Sequence, residues 1–270
     1  MKIAILKISG KTINEFISTG NWIKKIKKLK KIYQGIIIVH GAGKDITSWA
    51  EKLGFESKFI NGQRVTTSEL MDVAAAVQAG LINSKLNAKL NSAGFVSAGF
   101  SGIDRGSFVA EYINGKELGF VGTPYLSNSV KWIIDLLEEN VIPVFSSVCR
   151  DSHGNLMNVN ADIFTGALAK AVYADTVFFF SDVEGVMING KIKSFITEEE
   201  IESGILSGEI NNGMIPKLKS CSALIKEGIN NIWIGAELSE KAISQLNKKY
   251  ENGTWIAGTA GKELELYGAA

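Results

Sequence analysis

Ile36-Ile-Ile-Val39-His40-Gly41-Ala42-Gly43-Lys44 joins a run of β-branched residues to a glycine-rich turn, and this junction decides the fold. The apolar run does not alternate, so both faces of the strand are read as buried. Similar runs occur at Ile3 to Leu6, Phe95 to Ala98, Ile142 to Phe145, Thr176 to Phe180 and Asn231 to Ile234, with helical patterns between most of them. The alternation predicts an α/β protein, a three-layer α/β/α sandwich around a mostly parallel central sheet. Such sheets bind ligands beyond the carboxyl ends of their strands, where the Gly-Ala-Gly turn lies. The turn matches neither GxxxxGK[ST] nor the full GxGxxG, so it carries no nucleotide motif by itself.

Other strand ends repeat the arrangement. Lys7-Ile-Ser-Gly10-Lys11 closes the first strand and sets a lysine beside a turn whose amides can face an anion. Asn61-Gly-Gln-Arg64-Val-Thr66 leads into the clearest helix, Thr66 to Leu90. That helix opens on a capping box read as Thr66-Thr-Ser-Glu69 and carries Leu70, Val73, Val77 and Leu81 at helical spacing. Arg64 is the natural bidentate clamp for a carboxylate. Asn158-Val-Asn-Ala-Asp162 places two amides and a carboxylate ahead of a helix expected from Ile163 to Tyr173. A helix cap, best assigned to Asn160, accounts for only one of the three. Ser181-Asp182-Val183-Glu-Gly185 follows another strand, and Asn211-Asn-Gly213-Met-Ile-Pro-Lys217 precedes a helix expected from Leu218 to Glu227. Lys217 at a helix start opposes the helix dipole, a conflict that a bound anion would remove.

Composition narrows the chemistry. Twenty-nine basic against 28 acidic side chains give a formal charge of +1, so no global field draws the chain to nucleic acid or anionic lipid. A small-molecule substrate is expected. With only His40 and His153, a histidine-rich metal site is disfavoured. Cys149 and Cys221 are expected to be reduced, packed thiols, as suits the cytosol. Lys7 breaks the first apolar run too early for a signal peptide, and nothing approaches membrane-spanning length, so a soluble cytoplasmic protein is expected. The lysines between Trp22 and Tyr33 lie opposite Trp22, Ile26, Leu29 and Tyr33 on a helix, which reads as a solvated face. Phe108 to Phe120 reads as a β-hairpin turning at Asn114-Gly115 on the otherwise parallel sheet. No Ser/His or Cys/His pairing is visible. Two lysines, an arginine, an aspartate and glycine-rich turns suit phosphoryl transfer, where catalysis is positioning and charge neutralisation.

In order, KISG from Lys7, VHGAG from Val39, NGQRVT from Asn61, LMNVNAD ending at Asp162, SDVEG from Ser181 and GMIPK ending at Lys217 resemble the amino-acid kinase family, and within it the N-acetylglutamate kinases. The resemblance runs from Ile3 to Gly258. It implies the amino-acid kinase (carbamate kinase-like) fold; the restart of the strand pattern after the helix ending at Tyr173 sets the boundary of an N-terminal lobe over 1–176, for acyl-amino-acid binding and dimerisation. A nucleotide-binding lobe over 177–258 follows, and 259–270 form a tail outside the pattern. The implied reaction uses ATP, with Mg²⁺ held mainly by the ATP, to phosphorylate the side-chain carboxylate of an N-acylated glutamate in arginine synthesis. That carboxylate, with a reference pKa of about 4.3, needs no general base near neutral pH.

By the same resemblance, Lys7 and Lys217 would stabilise the transferring phosphoryl group while Asp162 holds both ammonium groups. Gly41, Ala42, Arg64 and Asn158 would bind the acyl-amino acid, and Gly10, Asp182, Val183, Gly185, Asn211 and Gly213 the nucleotide. Ser9 and Ala42 stand where the family usually has glycine, and Arg105 interrupts its Ser-Gly-x-Asp-Gly pattern at Ser101. A homodimer on the 66–90 helix is expected. It is expected to be insensitive to arginine, since the chain opens at its first strand without the helix linked in the family to hexamers and feedback. Alternatives are a kinase acting on an N-succinyl or aminoadipate derivative, or a silent ligand-sensing module on the same scaffold.

Overall fold

Every residue of the first strand is buried, and its neighbours face two different cores. Ile3 and Ile5 join one cluster, whereas Ala4, Leu6 and Ile8 join the other. A strand buried on both faces belongs at the middle of a covered parallel sheet. The computed structural model places it there, and describes residues 1–10, 12–113, 117–210, 214–229, 231–238, 243 and 253–258.

The large sheet has eight strands: β1 (Ile3–Ile8), β2 (Gly35–His40), β3 (Ser97–Phe100), β4 (Ile142–Ser146), β5 (Thr176–Phe180), β6 (Phe195–Thr197), β7 (Asn231–Gly235) and β8 (Thr254–Ala257). Their spatial order is β6-β8-β7-β5-β1-β2-β4-β3. From β3 through β7 all neighbours are parallel; β8 runs antiparallel to β7 and pairs in parallel with β6. Helices Lys131–Glu138, Ala161–Ala171, Glu198–Leu206 and Ile215–Lys226 cover one face through Ile133, Phe164, Ile201 and Leu218. Helices Asn21–Leu29, Gly43–Lys52 and Ser68–Ala75 cover the other through Trp22, Ile26, Ile46 and Leu70. The three expected layers are therefore present. Each such buried apolar side chain contributes about 1.5–3 kcal/mol relative to exposure.

The helix after Arg64 departs from its expected form in two ways. Thr67, not Thr66, is the cap, accepting from the Leu70 amide, because Thr66 is drawn into a β-bridge with Gly119. Between the α-helical parts Ser68–Ala75 and Asn83–Ser92 lies a π-helical turn, Ala76–Ile82. The turn adds one residue to the period. Burial consequently passes from Val77 to Ile82 and on to Leu86 and Leu90, and Leu81, assigned to the buried stripe by regular spacing, falls outside it.

The hairpin reading also needs correction. Phe108–Tyr112 pairs antiparallel with Val121–Leu126, in a separate four-stranded sheet completed by Leu156–Val159 and Val148–Arg150. Asn114 and Gly115 lie outside the described residues. Helices Ala161–Ala171 and Ile215–Lys226 begin within a turn of their expected starts, and β3 lies two residues beyond its expected position. Trp22, Ile26, Leu29 and Tyr33 are buried, Lys24, Lys27 and Lys31 are exposed, and Lys25, Lys28 and Lys30 are half-buried. Cys149 and Cys221 are free and buried. Among the described residues no helix is long and apolar enough to cross a membrane.

Candidate active site

The chain leaves β1 towards β2 on one side, and leaves β5 towards β7 on the other, so β1 and β5 flank a topological switch point. Beyond the strand ends the backbone stays tied across this point. The Ser9 amide donates to Phe180 O at 3.2 Å and the Gly41 amide to Ile8 O at 3.1 Å. Gly10 is pressed against the next turn, where an added Cβ would lie 2.6 Å from the Gly43 nitrogen. Here glycine is needed for close approach, not for an unusual dihedral. Ser9 and Ala42 fit because neither has a positive φ: Ala42, at −145°, precedes the helix Gly43–Lys52, and Ser9 bonds Thr12 Oγ1 at 3.1 Å. Arg105 is different. Its φ of 55° keeps the left-handed backbone suited to the glycine it replaces.

Register parity decides which side chains meet. Lys7 follows Ile3 and Ile5 onto the face covered by the helices Ala161–Ala171 and Ile215–Lys226. There its Nζ lies 2.5 Å from Asp162 Oδ1, and Lys7 is only 6% exposed. The Asn160 side chain caps the helix by accepting from the Asp162 amide at 2.7 Å, which seats Asp162 in the first turn facing the lysine. Ser181 continues the parity of Val177 and Phe179 beyond β5. Its Oγ accepts from Lys217 Nζ and donates to Asp182 Oδ1 at 3.1 Å. Cys221, one turn along the helix from Lys217, links the two groups: burial pushes its thiol pKa up, the charge of Asp162 adds to the rise, and Lys217 and Lys7 oppose it. All three charges act on this one buried thiol.

The other end of the cavity is built around Arg64 on the short hairpin strand Gln63–Arg64. Its guanidinium donates to Ser57 Oγ at 2.5 Å, Thr47 Oγ1 at 2.7 Å and Gly43 O at 2.9 Å, and lies 4.7 Å from the centre of the Phe59 ring. Burial lowers its pKa from the ordinary arginine value. Asn158 Nδ2 donates to Thr66 Oγ1 at 3.0 Å, and that hydroxyl donates to Arg64 O at 3.0 Å. Thr66 thus ties the arginine to the asparagine. His40 takes no part in this wall. It is fully buried against Asn83, with Nε2 3.1 Å from Asn83 Nδ2, and burial lowers its pKa to about 4, keeping the ring neutral.

Of the residues expected at the site, Lys7, Gly10, Gly41, Ala42, Arg64, Asn158 and Asp162 line one cavity. Lys217 and Asp182 are not part of its lining; they are joined through Ser181, and Lys217 shares with Lys7 and Asp162 an electrostatic effect on Cys221. Gly185 belongs to the same loop, where a Cβ would meet Thr254 Oγ1 and Ile192 Cγ2 at 2.8 Å, and Val183 packs against the core below. Asn211 and Gly213 lie outside the described residues. Sequence reasoning missed Thr66, Gln78, Ser147 and Ser181. Only Ser181 carried a usable signal, its parity with Val177 and Phe179.

The sequence model of the amino acid kinase family matches residues 2–235. The acetylglutamate kinase of Geobacillus kaustophilus is 33% identical over 266 residues, covering 98% of this chain and 99% of the relative. That of Bacillus licheniformis is 36% identical over 233 residues, 86% of this chain and 89% of the relative. Among solved structures, smu.665 from Streptococcus mutans UA159 superposes with a TM-score of 0.81 at 28% identity, over 94% of this chain and 98% of that one.

Proposed function

Because the chain belongs to the amino-acid kinase family, we propose that it transfers the γ-phosphoryl group of ATP to the side-chain carboxylate of N-acetyl-L-glutamate, a step of arginine biosynthesis. The observation that carries this reading is the pair of lysine clusters at one switch point, Lys7 with Asp162 and Lys217 with Ser181. A carboxylate oxygen attacks the γ-phosphorus, the bond to the β,γ-bridging oxygen breaks, and ADP leaves with that electron pair. Negative charge approaches negative charge, so the protein's task is electrostatic. Lys7 and Lys217 supply the fixed positive charge, and Asp162 holds Lys7 in place. Arg64 and Asn158 hold the α-carboxylate and acylamino end, and the Gly41–Ala42 backbone receives the reacting carboxylate.

ATP is assigned to Gly10, Asp182, Val183 and Gly185, with Asn211 and Gly213 assigned on the family motif alone. Among the described residues no three carboxylate, histidine or cysteine groups converge, and a Mg²⁺ carried on the nucleotide's own oxygens suits that donor set. When bound, it offsets phosphate charge. The N-terminal lobe, 1–176, is assigned to the acyl-amino acid and 177–258 to the nucleotide. A cytoplasmic homodimer built on the 68–92 helix completes the reading, and light scattering that gives a hexamer would overturn the dimer.

The test is ATP-dependent formation of a hydroxamate from N-acetyl-L-glutamate, which traps the acyl phosphate. Wild type should form it, and Lys217→Ala should lose on the order of 10²- to 10³-fold in turnover, as for removal of an oxyanion donor. Absence of product with wild type and every N-acyl dicarboxylate tried would defeat the proposal.

A further inference from the structure

Gln78 has no role in the chemistry above, yet it lines the same cavity as Arg64, Asn158 and Asp162. The side chain is 3% exposed and sits in the π-helical turn Ala76–Ile82, a device that recurs at functional sites. The widened turn buries Gln78 beside its apolar neighbour Val77.

The direction of its amide is fixed by its partners. Gln78 Nε2 donates to His40 O at 3.2 Å and to Ser147 Oγ at 2.8 Å. A backbone carbonyl can only accept, so the nitrogen must lie on that side and the amide cannot be turned over. Ser147 commits its one proton to Val159 O at 2.6 Å and therefore accepts from Gln78. Both Gln78 N–H groups are thus in use. Oε1 is the remaining polar atom, and it has no donor among the described residues. Oε1 is not sealed in the core, and on a side chain that lines the cavity it is open to a donor brought by a ligand. Ile113, Val121 and Val159 line the same cavity and suit a short acyl chain.

We propose that Gln78 Oε1 accepts the N–H of the substrate's acylamino group, making Gln78 a specificity-determining residue that demands a secondary amide there. The assignment rests on the N-acylglutamate reading and adds to it a named reader of the amide. An ester isostere presents an oxygen lone pair to Oε1 instead of a proton, so it loses the bond and meets repulsion. Because the Nε2 contacts hold Gln78 in place before substrate arrives, the acceptor is already oriented.

The experiment compares N-acetyl-L-glutamate with 2-acetoxyglutarate, in which the ester oxygen replaces N–H, by ADP release. Wild type should prefer the amide by about 10-fold or more in kcat/KM, the worth of one hydrogen bond. Gln78→Met should erase that preference by loss on the amide alone. Gln78→Glu, neutral when buried, retains a carbonyl acceptor and should restore the preference. An equal fall on both substrates in Gln78→Met marks a structural role and overturns the proposal, as does an unchanged ratio. The wild-type ratio needs no variant, and a value near one with active enzyme overturns this assignment alone. Wild type inactive on every N-acylglutamate removes the parent reading, and this one with it.

Discussion

Gly10→Ala tests whether the closeness of two turns sets the rate. The new Cβ would lie 2.6 Å from the Gly43 nitrogen and 3.2 Å from both Ala42 N and Ala42 C, where ordinary contact begins at 3.4 Å. All three are backbone atoms and cannot rotate aside. The β1 and β2 turns must therefore part by about 0.8 Å. Those turns carry Lys7 on one side and the Gly41–Ala42 backbone on the other, so the charge proposed to stabilise the phosphoryl group moves relative to the proposed seat of the reacting carboxylate. A misplacement near 1 Å costs about 10²-fold in rate, or roughly 2.7 kcal/mol of transition-state stabilisation. Steady-state hydroxamate kinetics should show that loss mainly in kcat, with the variant still folded by circular dichroism. Gly20→Ala serves as the control, since its Cβ would meet nothing nearer than 3.9 Å, and it should leave kcat unchanged. Gly10→Ala retaining kcat within about threefold of wild type would refute the argument that turn spacing governs the step.

Further outcomes follow from other parts of the molecule. Arg105→Gly should stabilise the protein by about 0.5–1 kcal/mol, since relief of a left-handed backbone exceeds the added entropy cost of glycine; a lower melting temperature would contradict this. His40 has a folded pKa near 4 against an ordinary 6.5, so its neutral form is the one that folds. Its contribution is full above pH 6.5 and is lost as pH falls towards 4, a decrease on the order of 3 kcal/mol in urea unfolding that His40→Asn should flatten. Asp162→Asn leaves Lys7 without its carboxylate and should lower both kcat and the urea midpoint; an unchanged midpoint would show that the pair adds nothing to stability.

Much of the sheet was legible because a strand buried on both faces leaves a continuous apolar run, as β1, β2 and β5 do. The short strands of the second sheet left no such run: Val121–Leu126 and Leu156–Val159 are partly exposed and mix polar with apolar residues. Lys7, Asp162 and Lys217 stood out because each is a charge at an element's end, where packing gives no reason for one. Thr66 was hidden by its own plausibility as a helix cap. Gln78 was hidden inside an apolar stripe, and only the extra residue of the π turn, which no local propensity announces, brings it to the cavity. Asn160 was assigned its cap correctly because one local hydrogen bond decides that role.

The π turn also means that the long helix is mechanically two helices sharing one backbone. The turn itself is keyed to the cavity through Gln78, and the part after it to the sheet edge through Asn83, which donates to Val144 O and Phe100 O. The extra residue acts as a clutch between them, letting each part hold its own rotational phase. Substitutions that reshape the cavity wall around Gln78 can therefore be absorbed there without turning Asn83 and Leu86 out of the core. Shortening the turn by one residue would lock the phases together and force one set of contacts to be given up.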